Sequence, residues 1–339
     1  MKTLICDKPF DLHYVEQAIP QAKDKEILVK VSSVGICGTD IHAYTGNQPF
    51  FSYPRILGHE LCGTVHELGQ GVTTDFAIGD KVALIPYVAC HACPSCLSGK
   101  TNCCENISVI GVHRDGGFSE YLTVPEGNLL KVNNVDDQTA ALIEPMAISA
   151  HAVRRADIKP NEAVLVVGAG PIGIGAAAIA AADGANVIMA DTQPERIAHV
   201  QRELKLPTLN PLDDDFHEQL SAAFGGSLAQ TVIDATGNPR AMNSAVNHIR
   251  HGGKIVFVGL FKGNLEINDP DFHKKETTLM GSRNATPEDF CKVQRLMEEG
   301  VLKANIMLTH TFDFNTIGNR YEADVINNKA LLKGLIKIS

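Results

Sequence analysis

Two short stretches carry side chains suited to holding a metal ion and moving a proton. GICGTDIHAY brings Cys37, Thr39, Asp40 and His42, and GHELCGTVHELGQGV, starting at Gly58, brings His59 and Glu60. Cysteine and histidine offer the sulfur and nitrogen ligands that zinc prefers, while a hydroxyl and a second imidazole close by can transfer a proton. Taken singly each has a bland reading: Cys37 as a small buried residue, His42 as a loop residue, Glu60 as a solvated charge. It is the grouping that points to a catalytic metal.

A second stretch, CHACPSCLSGKTNCC, packs five cysteines between Cys90 and Cys104. Cys90, Cys93 and Cys96 are each three apart, so their thiolates can converge on one ion from a tight knuckle, with a fourth supplied by the loop that returns after SGKTN. Four thiolates and no water make a closed, structural zinc site. Spacing alone does not choose between Cys103 and Cys104.

The third motif is G-A-G-P-I-G: Gly168, Gly170, Pro171, Ile172 and Gly173 directly follow an apolar run and open an Ala-rich one. The first glycine permits a tight turn, the second lets a pyrophosphate approach the backbone, and the third lets helix and strand pack. Asp191 ends the next apolar run, 18 residues after Gly173, where a carboxylate accepts hydrogen bonds from the adenosine ribose. That charge repels a 2′-phosphate and favours NAD over NADP; Arg196, five residues on, partly offsets it.

Elements must place these groups. From Ile27 to about Val132, short β-rich runs (EILVKVSSVGI, GTVHELG, DKVALIPYV, FSEYLTV) are separated by Gly, Pro and Asp turns and predict a barrel-like β domain. From Ala163, strands (AVLVVGAG, ANVIMAD, TVIDATG, GKIVFVGL) alternate with helical runs (PIGIGAAAIAAAD, QPERIAHVQREL) and predict a parallel, doubly wound sheet. The fold class is α/β. The later helical run PEDFCKVQRLMEEG and the closing strand LLKGLIKIS fit either domain.

The 339 residues, 44% hydrophobic and 20% charged, suffice for two such domains. A net charge of -9 without a basic block argues against a nucleic-acid partner, and no run of roughly 18 apolar residues suggests a membrane span. The opening MKTLICDKPFDLHYVEQ breaks any signal-peptide core with charges, so nine cysteines are expected as thiols and metal ligands in a reducing cytoplasm.

In order, GICGTD, GHE with its spaced glycines, the four-cysteine knuckle, DGGFSEY (Asp115 to Tyr121), IEP (Ile143 to Pro145) and GAGPIG resemble the zinc-dependent medium-chain alcohol and polyol dehydrogenases. The resemblance runs from about residue 4 to the C-terminus. It implies a GroES-like catalytic domain over residues 1–146, with a structural zinc lobe at 90–104, a Rossmann NAD-binding domain over 147–285, and a segment 286–339 returning to the catalytic domain. It also implies two zinc ions per chain, NAD, and a homo-oligomer, dimer or tetramer.

By the same matching, the family's fourth structural ligand lies eight residues beyond the third, which selects Cys104 and leaves Cys103 spare. Cys37 and His59 match catalytic zinc ligands, and Glu60 a ligand or a carboxylate just behind the metal. Glu144 stands where the alcohol branch has a second cysteine and the polyol branch a glutamate, as a ligand or a partner of a zinc water. Asp40 is expected to orient the His59 ring. Zinc can lower a bound water's pKa from about 15.7 to near 7, and the same effect acidifies a substrate hydroxyl. Thr39 then passes the proton towards His42 and solvent, and the cofactor takes the hydride. Arg283 and Lys333 are expected at the NAD pyrophosphate.

A sugar-acid or polyol substrate is implied. An aldonate carboxylate needs a cation or backbone donors, for which Arg114, His113, Arg283 and Asn47 are the candidates in loops. Oxidation of another polyol or of L-threonine is the rival enzymatic reading, and a non-catalytic zinc or cofactor-binding protein the rival of a different class. The joint presence of Cys37, Thr39, His42, His59 and Glu60 disfavours the latter.

Overall fold

In the computed structural model, which describes residues 1–48 and 51–338, the chain divides into two units. The first comprises Met1–Glu144, Thr286–Ala304 and Leu308–Ser339, and the second Pro145–Ala285 and Asn305–Met307.

The first unit opens with the antiparallel hairpin β1 (Lys2–Lys8) and β2 (Asp11–Glu16). Next comes β3 (Glu26–Ile36), an 11-residue strand rich in Val and Ile, as β-branched residues favour. It is followed by helix α1 (Gly38–Tyr44) and by β4 (Arg55–Ile56), which pairs with β1. Strands β5 (Glu60–Leu68) and β6 (Lys81–Leu84) then build outwards from β3. The run DKVALIPYV forms two strands rather than one: β6 stops at Leu84 and β7 (Tyr87–Val88) begins after Pro86, which has no amide to donate to a ladder.

The cysteine stretch holds α2 (Pro94–Leu97) and ends at β8 (Ser108–Val109), which pairs back onto β7. Strands β9 (Tyr121–Pro125) and β10 (Leu129–Lys131), helix α3 (Asp137–Ala141) and the first two residues of α4 (Ile143–Ala156) follow. Asp136 caps α3 by accepting from the amides of Gln138 and Thr139.

The second unit alternates as its sequence pattern predicts. Strand β11 (Ala163–Val167) leads to α5 (Pro171–Ala182), β12 (Asn186–Ala190) to α6 (Pro194–Glu203), and β13 (Thr208–Leu209) to α7 (Phe216–Ala223). Strand β14 (Ala229–Asp234), α8 (Pro239–Ser244), β15 (Ile249–Phe257), α9 (Asp269–Lys274) and β16 (Thr278–Gly281) complete it. The sheet order is β13-β12-β11-β14-β15-β16 and every pairing is parallel. This is the doubly wound order that reverses at β11, where a dinucleotide crevice forms.

The chain then rejoins the first unit through α10 (Pro287–Glu298), β17 (His310–Asp313), α11 (Phe314–Tyr321) and β18 (Gly334–Lys337). Thr286 and Asp289 form a capping box that starts α10. The large sheet runs β10-β6-β5-β3-β18-β17, with β9 also on β3, over a core that includes Val29, Val34, Leu61, Leu84, Phe118 and Phe314. Both ends of the chain thus build one β domain, and the closing helix and strand left open by the sequence belong to it.

Candidate active site and metal centres

The register of the large sheet assembles a candidate metal cluster. In the β3–β5 ladder Gly35 faces Glu60, and in the β3–β18 ladder Ile36 faces Gly334. Cys37, His59 and Lys333 each stand one residue beyond these pairs, so three strand ends deliver their side chains to one place. Gly35 makes room for the carboxylate: a Cβ there would lie 2.2 Å from Glu60 Oε2. Cys37 N-caps α1, which leaves its sulfur at the strand-to-helix turn.

One ligand atom each of Cys37, His59 and Glu60 lies within 4.8 Å of the others. His59 Nδ1 is 3.7 Å from Asp40 Oδ1, outside hydrogen-bond range but close enough for charge to act. Asp40, fully buried, is itself fixed by the amides of Cys37 at 2.8 Å and Gly58 at 3.1 Å. Asp40 therefore faces Nδ1 through charge and not through a hydrogen bond, and Nε2 is the ring nitrogen left to a cation.

Glu144 stands beside this trio rather than within it. Its Oε1 accepts the hydroxyl proton of Tyr87, while its Oε2 is buried without a hydrogen-bond partner among the described residues. Glu60 Oε2 shares that condition. Unpartnered polar atoms in a buried site cost stability unless something else satisfies them, and a divalent cation fits sulfur, nitrogen and carboxylate donors arranged so.

The charges are strongly interdependent. Burial alone would lower the His59 pKa, but the Cys37 and Asp40 charges outweigh it and hold the ring well above its usual value. Burial pushes the Glu144 carboxyl up to about 7, partly countered by His59. Burial also raises Tyr87 well above the ordinary phenol range, reinforced by the Glu144 charge, so it stays a donor at neutral pH. A cation binding here displaces protons.

Lys333, expected at the NAD pyrophosphate, lies under Glu60 and pairs with it. Its Nζ donates to Glu60 Oε1 at 2.5 Å and to the Ile36 carbonyl at 3.1 Å, with the lysine 4% and Glu60 1% exposed. Burial disfavours its charge, but Glu60 and Cys37 more than restore it. Sequence reading missed this ion pair because its members are 273 positions apart. Thr39 and His42 lie three apart on α1, hence on one face, with Thr39 half-buried and His42 exposed.

The lobe gathers Cys90, Cys93, Cys96 and Cys104, whose sulfurs all lie within 4.8 Å of one another. Cys103 is exposed and outside the group. Cys90 Sγ accepts from the Cys93 amide at 3.4 Å, and Cys104 Sγ from the Cys90 amide at 3.2 Å. Backbone amides of Ala92 and Cys93 bring the exposed Cys90 thiol down to about 6, whereas burial, with Cys93 and Cys104 close by, pushes Cys96 up to about 12. Four sulfurs this close share protons until a dication replaces them, so the set fits a structural zinc.

In the second unit Gly168 takes φ +98°, and a Cβ on Gly173 would lie 1.8 Å from the Gly168 carbonyl, so neither tolerates a side chain. Gly170 N-caps α5, with Pro171 and Ile172 in its first turn. Asp191, just past β12, holds the turn through the Ala169 amide at 2.6 Å and its own loop through Gln193 at 2.8 Å. Arg196 reaches the Ala169 carbonyl at 3.2 Å, so its charge lies at the glycine turn. Arg283 is exposed two residues past β16.

The substrate candidates are more dispersed. Arg114 Nε donates to Ser108 Oγ at 3.0 Å, His113 Nδ1 accepts from the Val109 amide at 2.9 Å, and the Asn47 amide reaches Thr45. Pro49 and Phe50, in the GNQPFFSYP loop after Asn47, lie outside the described residues. No helix among the described residues is long and apolar enough to cross a membrane.

Comparison with known proteins bears on this geometry. Residues 23–134 match the alcohol dehydrogenase GroES-like domain, and residues 171–299 match the zinc-binding dehydrogenase domain. The chain belongs to the zinc-type alcohol dehydrogenase family. This dehydrogenase is 65% identical to L-galactonate-5-dehydrogenase of Escherichia coli K12 over 99% of its own length and 98% of that protein. It is 31% identical to a sorbitol dehydrogenase of Halalkalibacterium halodurans, covering 95% and 96% of the two chains. The solved rspB alcohol dehydrogenase of Escherichia coli CFT073, complexed with NADH, superposes with a TM-score of 0.92 at 33% identity, over 100% of this chain and 99% of that one. The dehydrogenase acts on a CH–OH group, and its two domains are the GroES-like and Rossmann folds expected.

Proposed function

We propose that this dehydrogenase oxidises L-galactonate at C5 to D-tagaturonate, with NAD as the hydride acceptor. The observation that carries the reading is the 65% identity to L-galactonate-5-dehydrogenase across both whole chains. The NADH-bound relative and the Asp191 carboxylate beside the glycine turn support NAD.

Cys37, His59 and Glu60 would hold the catalytic zinc, with Glu144 next to it, and Cys90, Cys93, Cys96 and Cys104 the structural one. Bound zinc supplies Lewis acidity that makes the substrate hydroxyl easier to deprotonate. Thr39 receives that hydroxyl's hydrogen bond, and His42, one turn along and open to solvent, carries the proton away. Asp40 keeps the His59 ring turned. Gly168, Gly170 and Gly173 clear space for the pyrophosphate, and Arg283 offers it a positive charge. Of the carboxylate candidates we favour Arg114, whose guanidinium has donors besides the Nε bonded to Ser108.

Nine free thiols fit a reducing cytoplasm. A dimer or tetramer belongs to this reading, with edge strand β16 a candidate seam. The test is a screen of zinc-loaded enzyme with NAD against aldonates, polyols and L-threonine, followed at the NADH absorbance and ranked by kcat/KM. L-galactonate ranking first supports the proposal; another alcohol ranking first overturns the substrate, and no reduction of NAD across the panel overturns the enzymatic reading.

A further inference from the structure

Tyr87 lies three residues before Cys90, on a strand that exists only as the base of the cysteine lobe. Strand β7 pairs with β8 through just Tyr87 with Val109 and Val88 with Ser108, extended by the Ile110 amide on the Pro86 carbonyl at 3.0 Å. A two-residue ladder is too short to persist alone in water. What holds it is closure of the loop between its strands, where the four sulfurs meet. The Asn128 amide, 3.2 Å from the Tyr87 carbonyl, and an edge-to-face contact with Phe290 at 6.3 Å pin the residue further.

From this braced position the phenol reaches out of the lobe into the catalytic cluster and donates to Glu144 Oε1. Glu144 is 2% exposed, and its second oxygen, Oε2, has no hydrogen-bond partner among the described residues. One oxygen is therefore held and the other left to the catalytic cation.

We propose that Tyr87 is a positioning residue for the active centre, fixing the Glu144 carboxylate and so tying the geometry of the catalytic cation site to the structural lobe. The inference rests on the reading of Cys37, His59 and Glu60 as the catalytic metal site, and it is independent of which alcohol is the substrate. Tyr87→Phe removes only the hydroxyl and keeps the ring on Phe290. Partners behind metal ligands typically change metal affinity or activity by about 10- to 100-fold.

The experiment loads the full-length protein with zinc in the structural site and Co2+ in the catalytic one. Metal content, the visible Co2+ spectrum and Co2+ affinity by chelator competition are then measured for wild type, Tyr87→Phe, Glu144→Gln and the double variant. Expected are a retained structural zinc, a shifted Co2+ band and an affinity roughly 10-fold or more weaker in Tyr87→Phe, with little further change when it is added to Glu144→Gln. An unchanged band with affinity within about twofold of wild type, or effects that add in the double variant, overturns the positioning role. Failure of the wild type to bind Co2+ at a second site would overturn the underlying metal reading instead, and a wrong substrate would disturb none of these measurements.

Discussion

Replacing Lys333 with methionine leaves Glu60 with a charge and no counter-charge at a place where water does not reach. The pair is 2.5 Å apart, with the lysine 4% and the glutamate 1% exposed. Removing one partner of a buried ion pair costs about 3–5 kcal/mol, because the other charge stays desolvated. A dication on Cys37, His59 and Glu60 compensates the carboxylate, so the cost in the fully loaded enzyme falls to roughly that of one lost hydrogen bond, about 1 kcal/mol. The difference of about 2–4 kcal/mol must reappear as tighter metal binding by the variant, some 30- to 1,000-fold. The comparison is made at a single pH of about 8, so that both metal states are read under the same conditions. Denaturation midpoints are read at one and at two zinc ions per chain, counted by elemental analysis, and zinc affinity by chelator competition. Equal destabilisation in both metal states, or unchanged affinity, would refute the claim that Lys333 stands in for part of the cation. Lys333→Met with Glu60→Gln should recover most of the stability lost in the single variant.

Three further outcomes follow from the geometry. Cys104→Ser should lose one zinc per chain and loosen the lobe, whereas Cys103→Ser, exposed and outside the sulfur cluster, should retain both zinc ions by elemental analysis. Thr39→Ala should keep zinc and NAD binding but lower kcat by about 100-fold or more, as loss of a proton-transfer group does; near-normal turnover with intact metal would exclude the relay. His248, held down to about 4 by burial and by His217 and Lys275, binds fewer protons folded than unfolded. Its contribution is complete above pH 6.5, and stability falls by up to about 3 kcal/mol as the pH drops from there to 4. His248→Asn should flatten that slope in denaturation midpoints measured against pH.

The features legible in the sequence are those whose parts lie close together in it. Cys37 with Asp40, His59 with Glu60, the first three cysteines of the knuckle and the glycine turn each lie within a few residues and come together in the structure, whereas Cys104 is singled out by family resemblance and not by spacing. Register and long-range pairing are not local. Gly35 reads as an ordinary strand glycine until the ladder sets it opposite Glu60. The Lys333–Glu60 pair depends on where β18 inserts, which no periodicity in LLKGLIKIS encodes. Tyr87 did leave a trace: an aromatic residue directly after Pro86, where an apolar run is interrupted, breaks the pattern of DKVALIPYV. Its partner Glu144 is beyond the reach of that signal.

Strand β18 also sets the two candidate metal sites apart in sequence range. The cysteine lobe closes from neighbouring residues, so as the chain is made it can take up its ion once about a third of the sequence exists. The Cys37, His59 and Glu60 cluster gains its counter-charge only from Lys333, 273 positions after Glu60, on the strand that adds to the end of β3. Contacts of such sequence separation form late and slowly. The two candidate metal sites therefore differ in kind: the lobe draws its four sulfurs from 15 consecutive residues, whereas the carboxylate of the other depends on a lysine 273 positions away.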